Sequence, residues 1–156
     1  MLKAWRIMKA KHAANPFDGE GARLYGSRWS NPGVRVAFAS ESLSLATLEI
    51  LVQLQNSLPL SCYVVCTIEF DAELVQDLDR SLLPKNWREF PSPPQVREIG
   101  DDWARTASSV VLRVPSVVVV HEHNYLINPI HEDFSKLVIG DPLPLDIDSR
   151  VFGSKK

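Results

Sequence analysis

The chain has 156 residues, 45% of them apolar and 23% charged, with a formal net charge of −2. That length suits one domain with a core of its own. The near-neutral charge gives no general attraction to nucleic acid or to an anionic membrane, and the longest apolar run, VPSVVVV, is far too short to span a bilayer.

MLKAWRIMKAKHA carries charges inside its apolar stretch and does not read as a signal peptide. Within it LKAWRI alternates as an opening strand, with Trp5 and Arg6 on opposite faces. Residues 11 to 33 read as a long loop with four glycines and two prolines, and loops of that length inside one domain are usually functional or mobile. VRVAFA follows as a short strand. Ser40 is placed to cap the next helix, with Glu41 in its first turn. That helix is expected to run to about Gln55, with an apolar side of Leu45, Leu48 and Val52.

CYVVCTIEF is the clearest strand. Cys62 and Cys66, four apart on it, would share a face as buried free thiols, which fits a reducing cytoplasm. LDRSLLPKNW reads as a turn region, and Pro93-Pro94 opens a helix through VREIGDDWARTA that Gly100 weakens. SSVVLRV and VVVVHEH read as strands separated by a proline. Asn128-Pro129 makes a turn, KLVIG a final strand, and residues 153–156 a disordered tail. Strands outnumber helices and do not alternate with them, which predicts an α+β fold with a mixed or antiparallel sheet.

Three residues between 28 and 49 carry chemistry. Arg28 stands in the glycine-rich loop, where its planar fork can pair with phosphate. Phe38 can stack on a flat heterocycle. Glu49, on a largely apolar helix, can accept ribose hydroxyls and stabilise positive charge growing at an anomeric carbon. Each has a bland alternative: a solvated arginine, a core aromatic and an exposed helix glutamate. HEH at 121–123 would put two imidazoles on one strand face, but the sequence offers too few partners for a metal, and no metal is expected. No GxSxG elbow supports a nucleophilic serine.

GARLYGSRW, VAFASES, LATLEILVQL, SSVVLRVPS and NYLINPIHEDF, in that order, resemble the RES-domain family, the toxins of RES–Xre toxin–antitoxin pairs. The resemblance runs over nearly the whole chain and implies one RES domain over residues 1–152. It implies an ADP-ribosyltransferase-like fold, a split and mostly antiparallel sheet with flanking helices. Arg28 and Arg6 would face one pocket and grip the pyrophosphate of NAD+, taken as substrate. Phe38, where the family pattern usually has tyrosine, keeps a stacking face and loses a hydroxyl. Glu49 would be the main catalytic residue. The functional serine is Ser109 or Ser116, and Ser109 is preferred by analogy with the strand-starting serine of arginine-type ADP-ribosyltransferases. Asn124 and Asn128 also match, each with turn capping as the alternative.

The implied activity is cleavage of the nicotinamide–ribose bond with water or phosphate as acceptor, arresting growth. The alternatives are ADP-ribosylation of a protein target, an inactive NAD-binding module, and an RNA-directed nuclease. Thr47 stands where an ExE motif would need a glutamate, which argues against arginine-directed modification. The implied partners are an Xre-type helix-turn-helix antitoxin, which alone would touch DNA, and a second copy in a homodimer within that complex.

Overall fold

In the computed structural model, which describes residues 1–54 and 59–152, the opening alternation folds as β1 (Leu2–Lys9). Ala4 and Met8 enter one core with Phe17 and Cys66, while Trp5 and Ile7 pack with Ala46 on the other side. β1 pairs antiparallel with β3 (Tyr63–Phe70) along its length, Leu2 opposite Phe70 and Lys9 opposite Tyr63. β3 carries two short outer strands, β7 (Val138–Ile139) and β8 (Leu143–Pro144).

On its other edge β1 meets β2 (Ala37–Ser40) through the single pair Trp5–Ser40. The sheet continues through β6 (His123–Ile127) and β5 (Val111–Pro115) to β4 (Val75–Asp77). Only β4–β5 is parallel among the described pairs. Among the described residues eight strands therefore form two half-sheets joined at one residue pair. With three α-helices interspersed among those residues, the fold is α+β.

Helix α1 (Glu20–Tyr25) occupies the middle of the expected loop. Gly19 starts it at φ 71°, where a Cβ would meet the backbone of Val36 at 2.8 Å, so only glycine fits. Glu20 bonds Arg23 within the helix and pairs with Arg35 at 2.8 Å. Helix α3 (Pro94–Thr106) buries Val96, Trp103 and Ala104 against Leu112, Val114 and Leu126 of the sheet.

Helix α2 (Leu43–Leu51) is capped by Ser42, whose hydroxyl accepts from Leu45 N–H at 3.0 Å. Ser40 cannot serve as that cap, because its backbone is committed to the sheet opposite Trp5 and Asn124. The helix stops at Leu51; Gln55 lies outside the described residues. Its buried residues are Leu45, Ala46 and Thr47, and Ile50 packs in the cluster of Ala46, whereas Leu48 and Val52 are exposed. Ala46 shares a buried cluster with Ile7 of β1, so the packed side includes Leu45 as expected and leaves out Leu48 and Val52.

The second valine-rich segment also differs. Residues 117–122 are bends and turns, and β6 begins only at His123. Pro115 ends β5, and the Ser116 hydroxyl takes up the N–H groups of Val118 and Val119, closing a turn where a strand was expected. HEH is therefore no strand face. Cys62 lies in a short 3-10 turn before β3 and is exposed, while Cys66 is fully buried. The final strand shrinks to two residues, and the expected tail at 153–156 is outside the described residues.

Candidate functional site

Residues paired across strands share a side of the sheet. The register Trp5–Ser40, Ser40–Asn124 and Asn124–Val114 thus puts one side chain from each of four strands on one face. Helix α2 lies against that face and carries Glu49 to it. Ser116, two residues beyond Val114, reaches the same place.

Three polar side chains build the carboxylate's setting. The Ser116 hydroxyl donates to Glu49 Oε1 at 2.6 Å and Asn124 Nδ2 donates to the same oxygen at 2.8 Å. The Ser40 hydroxyl donates to Asn124 Oδ1 at 2.7 Å. The chemistry of the groups fixes each direction. A hydroxyl has one hydrogen and two lone pairs. Ser116 spends its lone pairs on Val118 and Val119, so its hydrogen must point at Glu49. Asn124 presents its carbonyl to Ser40, so its NH2 faces Glu49. Oε1 is fully engaged, while Oε2 has no hydrogen bond among the described residues and is left for a ligand.

Arg28 approaches from the loop after α1. Its Nη1 donates to the Trp87 carbonyl at 2.9 Å and its Nη2 to the Glu89 carbonyl at 3.0 Å. Burial lowers its pKa below the ordinary arginine value, and the nearby Glu49 carboxylate works against that fall. Among the described residues two of its five N–H donors are used.

The loop is bolted to α3. Asp101 accepts from Asn31 N–H at 2.9 Å and from Asn31 Nδ2 at 2.6 Å, and Arg97 donates to Asn31 Oδ1 at 2.9 Å. Gly100 lets α3 touch the Trp29 carbonyl, since any Cβ there would overlap that oxygen. Trp29 in turn packs at 6.4 Å on Trp87. None of these partners was legible in the sequence, because 59 to 70 residues separate the members of each hydrogen-bonded pair.

Phe38, Arg6, Ser109 and Asn128 fall in four different places. Phe38 shares the face of Ser40 and Leu126, and its half-buried ring packs in the core with Trp29 and Trp103. Arg6 stands opposite Cys66, on the face turned away from Glu49. Its guanidinium is buried over the Phe17 ring and held near the Pro16 carbonyl at 2.6 Å. Burial lowers its pKa, against the pull of Cys66 and Asp18. The expectation that Arg6 and Arg28 face one pocket is therefore corrected: the period-two strand separates them.

Ser109 lies two residues before β5, accepts from Trp103 Nε1 at 2.8 Å and donates to the Val111 carbonyl at 2.9 Å. It does not reach Glu49, so Ser116 replaces it as the serine of the cluster. Asn128 is buried and caps its turn, donating to the Ala104 carbonyl and accepting from Ile130 N–H. Ser40, expected only as a cap, is a member of the network. An open depression of about 550 Å³ lies elsewhere, lined by Lys3, Glu41, Arg113 and Tyr125. Tyr125 and Arg113 pair on the face opposite Asn124. That hollow lacks Glu49 and Arg28, so its size does not make it the site.

Comparison with known proteins places this geometry in a context. A sequence model of the family described as RES domain matches residues 3–148. "Toxin Res" of Yersinia enterocolitica is 36% identical over 151 residues, 96% of this chain and 99% of that protein. The "Prs ADP-ribosylating toxin" of Sphingobium sp. is 36% identical over 135 residues, 83% of each chain. Among solved structures, the M. tuberculosis MbcT-MbcA toxin-antitoxin complex contains a chain that superposes with a TM-score of 0.72 at 18% identity, covering 92% of this chain and 83% of that one. The α+β fold is thus shared with a chain of that toxin-antitoxin complex.

Proposed function

This chain belongs to the RES-domain family, and on that premise we propose that it is a growth-arresting toxin that cleaves the nicotinamide–ribose bond of NAD+. The observation that carries the reading is the Glu49 carboxylate held at one oxygen by Ser116 and Asn124 with Arg28 close by. In the reaction the C1′–nitrogen bond breaks, and neutral nicotinamide leaves with the electron pair. Water or phosphate supplies the new bond to C1′, and water loses its proton to solvent.

Glu49 binds the ribose hydroxyls through Oε2 and offsets the positive charge that grows on the sugar. A carboxylate fixed beforehand needs no reorganisation at that moment, so its two side-chain donors act as positioning groups. Arg28 holds the pyrophosphate through its remaining donors. Phe38 supplies an aromatic wall to the cleft.

Transfer of ADP-ribose to a protein is the second reading, favoured by the name of the Sphingobium relative. It shares the bond broken and differs in the acceptor. The partner proposed is an Xre-type antitoxin covering the cleft, with DNA contacted only by that antitoxin, a homodimer within the complex, and a cytoplasmic location. The antitoxin part draws on the toxin–antitoxin complex among the structural neighbours. Among the described residues no helix is long and apolar enough to cross a membrane.

The test is NAD+ turnover by wild type, Glu49→Ala and Arg28→Ala, with and without phosphate and with a lysate as protein acceptor. Wild type is expected to consume NAD+ and both variants to lose at least about 100-fold in rate, the scale of removing one preorganised electrostatic group. Label from NAD+ on a lysate protein would select the second reading. Intact NAD+ in every arm, in a folded sample, sinks both.

A further inference from the structure

The segment Trp87–Phe90 is held at two points by hydrogen bonds to the residues around Glu49. At one side its Trp87 and Glu89 carbonyls are held by Arg28. At the other, Arg88 donates from Nε and Nη2 to the Val117 carbonyl at 3.2 and 2.9 Å. Val117 follows Ser116, which holds Glu49. The segment is thus tied both to the arginine and to the turn that orders the carboxylate.

On this strap stands Phe90, next in sequence to the carbonyl that Arg28 grips, with its residue surface 91% exposed. A phenyl ring left that open forgoes the burial that normally holds such rings inside. Its neighbour Trp87 is packed on Trp29, so the strap itself is fixed while the ring is free. Arg28 thus holds the residue before the ring, and Arg88 ties the same strap to the turn whose Ser116 donates to Glu49.

We propose that Phe90 is the platform on which the adenine of the dinucleotide stacks. The assignment rests on the NAD+ reading of the Glu49 site. With the nicotinamide ribose at Glu49 and the pyrophosphate at Arg28, the adenosine half extends toward the strap. A purine has two apolar faces, and an exposed ring offers one of them a partner without any new hydrogen bond. Arg88 serves as the anchor that keeps the strap in place.

The experiment uses the full chain in a Glu49→Gln background, so that NAD+ is bound and not consumed. Isothermal titration measures NAD+, ADP and nicotinamide mononucleotide, with and without Phe90→Ala and Phe90→Trp. Melting temperature is expected to stay unchanged, because the ring is exposed. Phe90→Ala should weaken NAD+ and ADP about tenfold, the range of one stacked base. It should leave nicotinamide mononucleotide, which lacks the adenosine, unaffected, and Phe90→Trp should restore binding. NAD+ bound equally with and without the ring overturns the platform and leaves the NAD+ reading standing. Equal weakening of nicotinamide mononucleotide overturns the adenine assignment. No NAD+ binding by the parent variant, together with no turnover by wild type, overturns both.

Discussion

Ser116 and Ser109 separate two jobs that sequence resemblance leaves joined. Ser116 donates to Glu49, while Ser109 ties Trp103 to the start of β5. A hydrogen bond to a charged group is worth about 1.5–3 kcal/mol. Ser116→Ala is therefore expected to slow NAD+ turnover by about 10- to 100-fold. Ser109→Ala leaves the Trp103 indole short of a partner and should lower stability by about 1 kcal/mol without changing kcat. Steady-state kinetics and thermal melts on both variants check this, and an equal loss of kcat in Ser109→Ala refutes the assignment. Arg28 was read as a phosphate-type arginine; that two of its donors hold the strap was not legible, because carbonyls carry no signature in the residue letters.

The α3–loop joint is the element on which the site depends. Gly100 weakened the helix in the sequence reading for its low helix propensity, yet the helix runs on to Thr106 and the glycine is where Trp29 docks. Gly100→Ala should cost about 3 kcal/mol through overpacking, read as a lower denaturation midpoint. Asp101→Ala removes both bonds to Asn31. It should raise KM for NAD+ about fivefold and change kcat little, since a loosened loop delivers Arg28 less often. A fall in kcat alone would place Asp101 in the chemistry instead. Helix α1 gives a pH test. The Arg23 hydrogen bond leads in holding the Glu20 carboxyl down to about 2, with help from Arg35. A depressed carboxyl contributes stability above its unfolded value, lost as pH falls toward about 2. The carboxyl carbon of Glu20 should therefore titrate near 2 by NMR, and a midpoint near 4.5 would show that the α1 pair does not form in solution.

For the whole molecule the decisive fact is the seam at Trp5–Ser40. Ser40 belongs both to the one pair joining the half-sheets and to the chain of bonds reaching Glu49. The carboxylate is thereby supported from the joint of the fold. The two thiols report on the same architecture. Cys66 lies in the β1–β3 core beside Arg6, and burial raises its pKa against the arginine's pull, whereas Cys62 is exposed. In native protein a thiol reagent should modify one cysteine quickly, and Cys62→Ser should abolish that reaction. Both reacting at once would contradict the packing of β3.

Sequence alone determined the α+β class, most of the strands and the start of α3, and it singled out Arg28, Phe38 and Glu49 as the residues now proposed for the site. Those follow from period, capping chemistry and side-chain type, which act over a few residues. It also ranked Ser116 second, put Arg6 in the pocket, and read 117–123 as strand. Only the tertiary structure decided these. Which face of β1 carries Arg6, and which serine meets a helix 67 residues away, depend on strand order and register. Local preferences do not encode either; long-range pairing does.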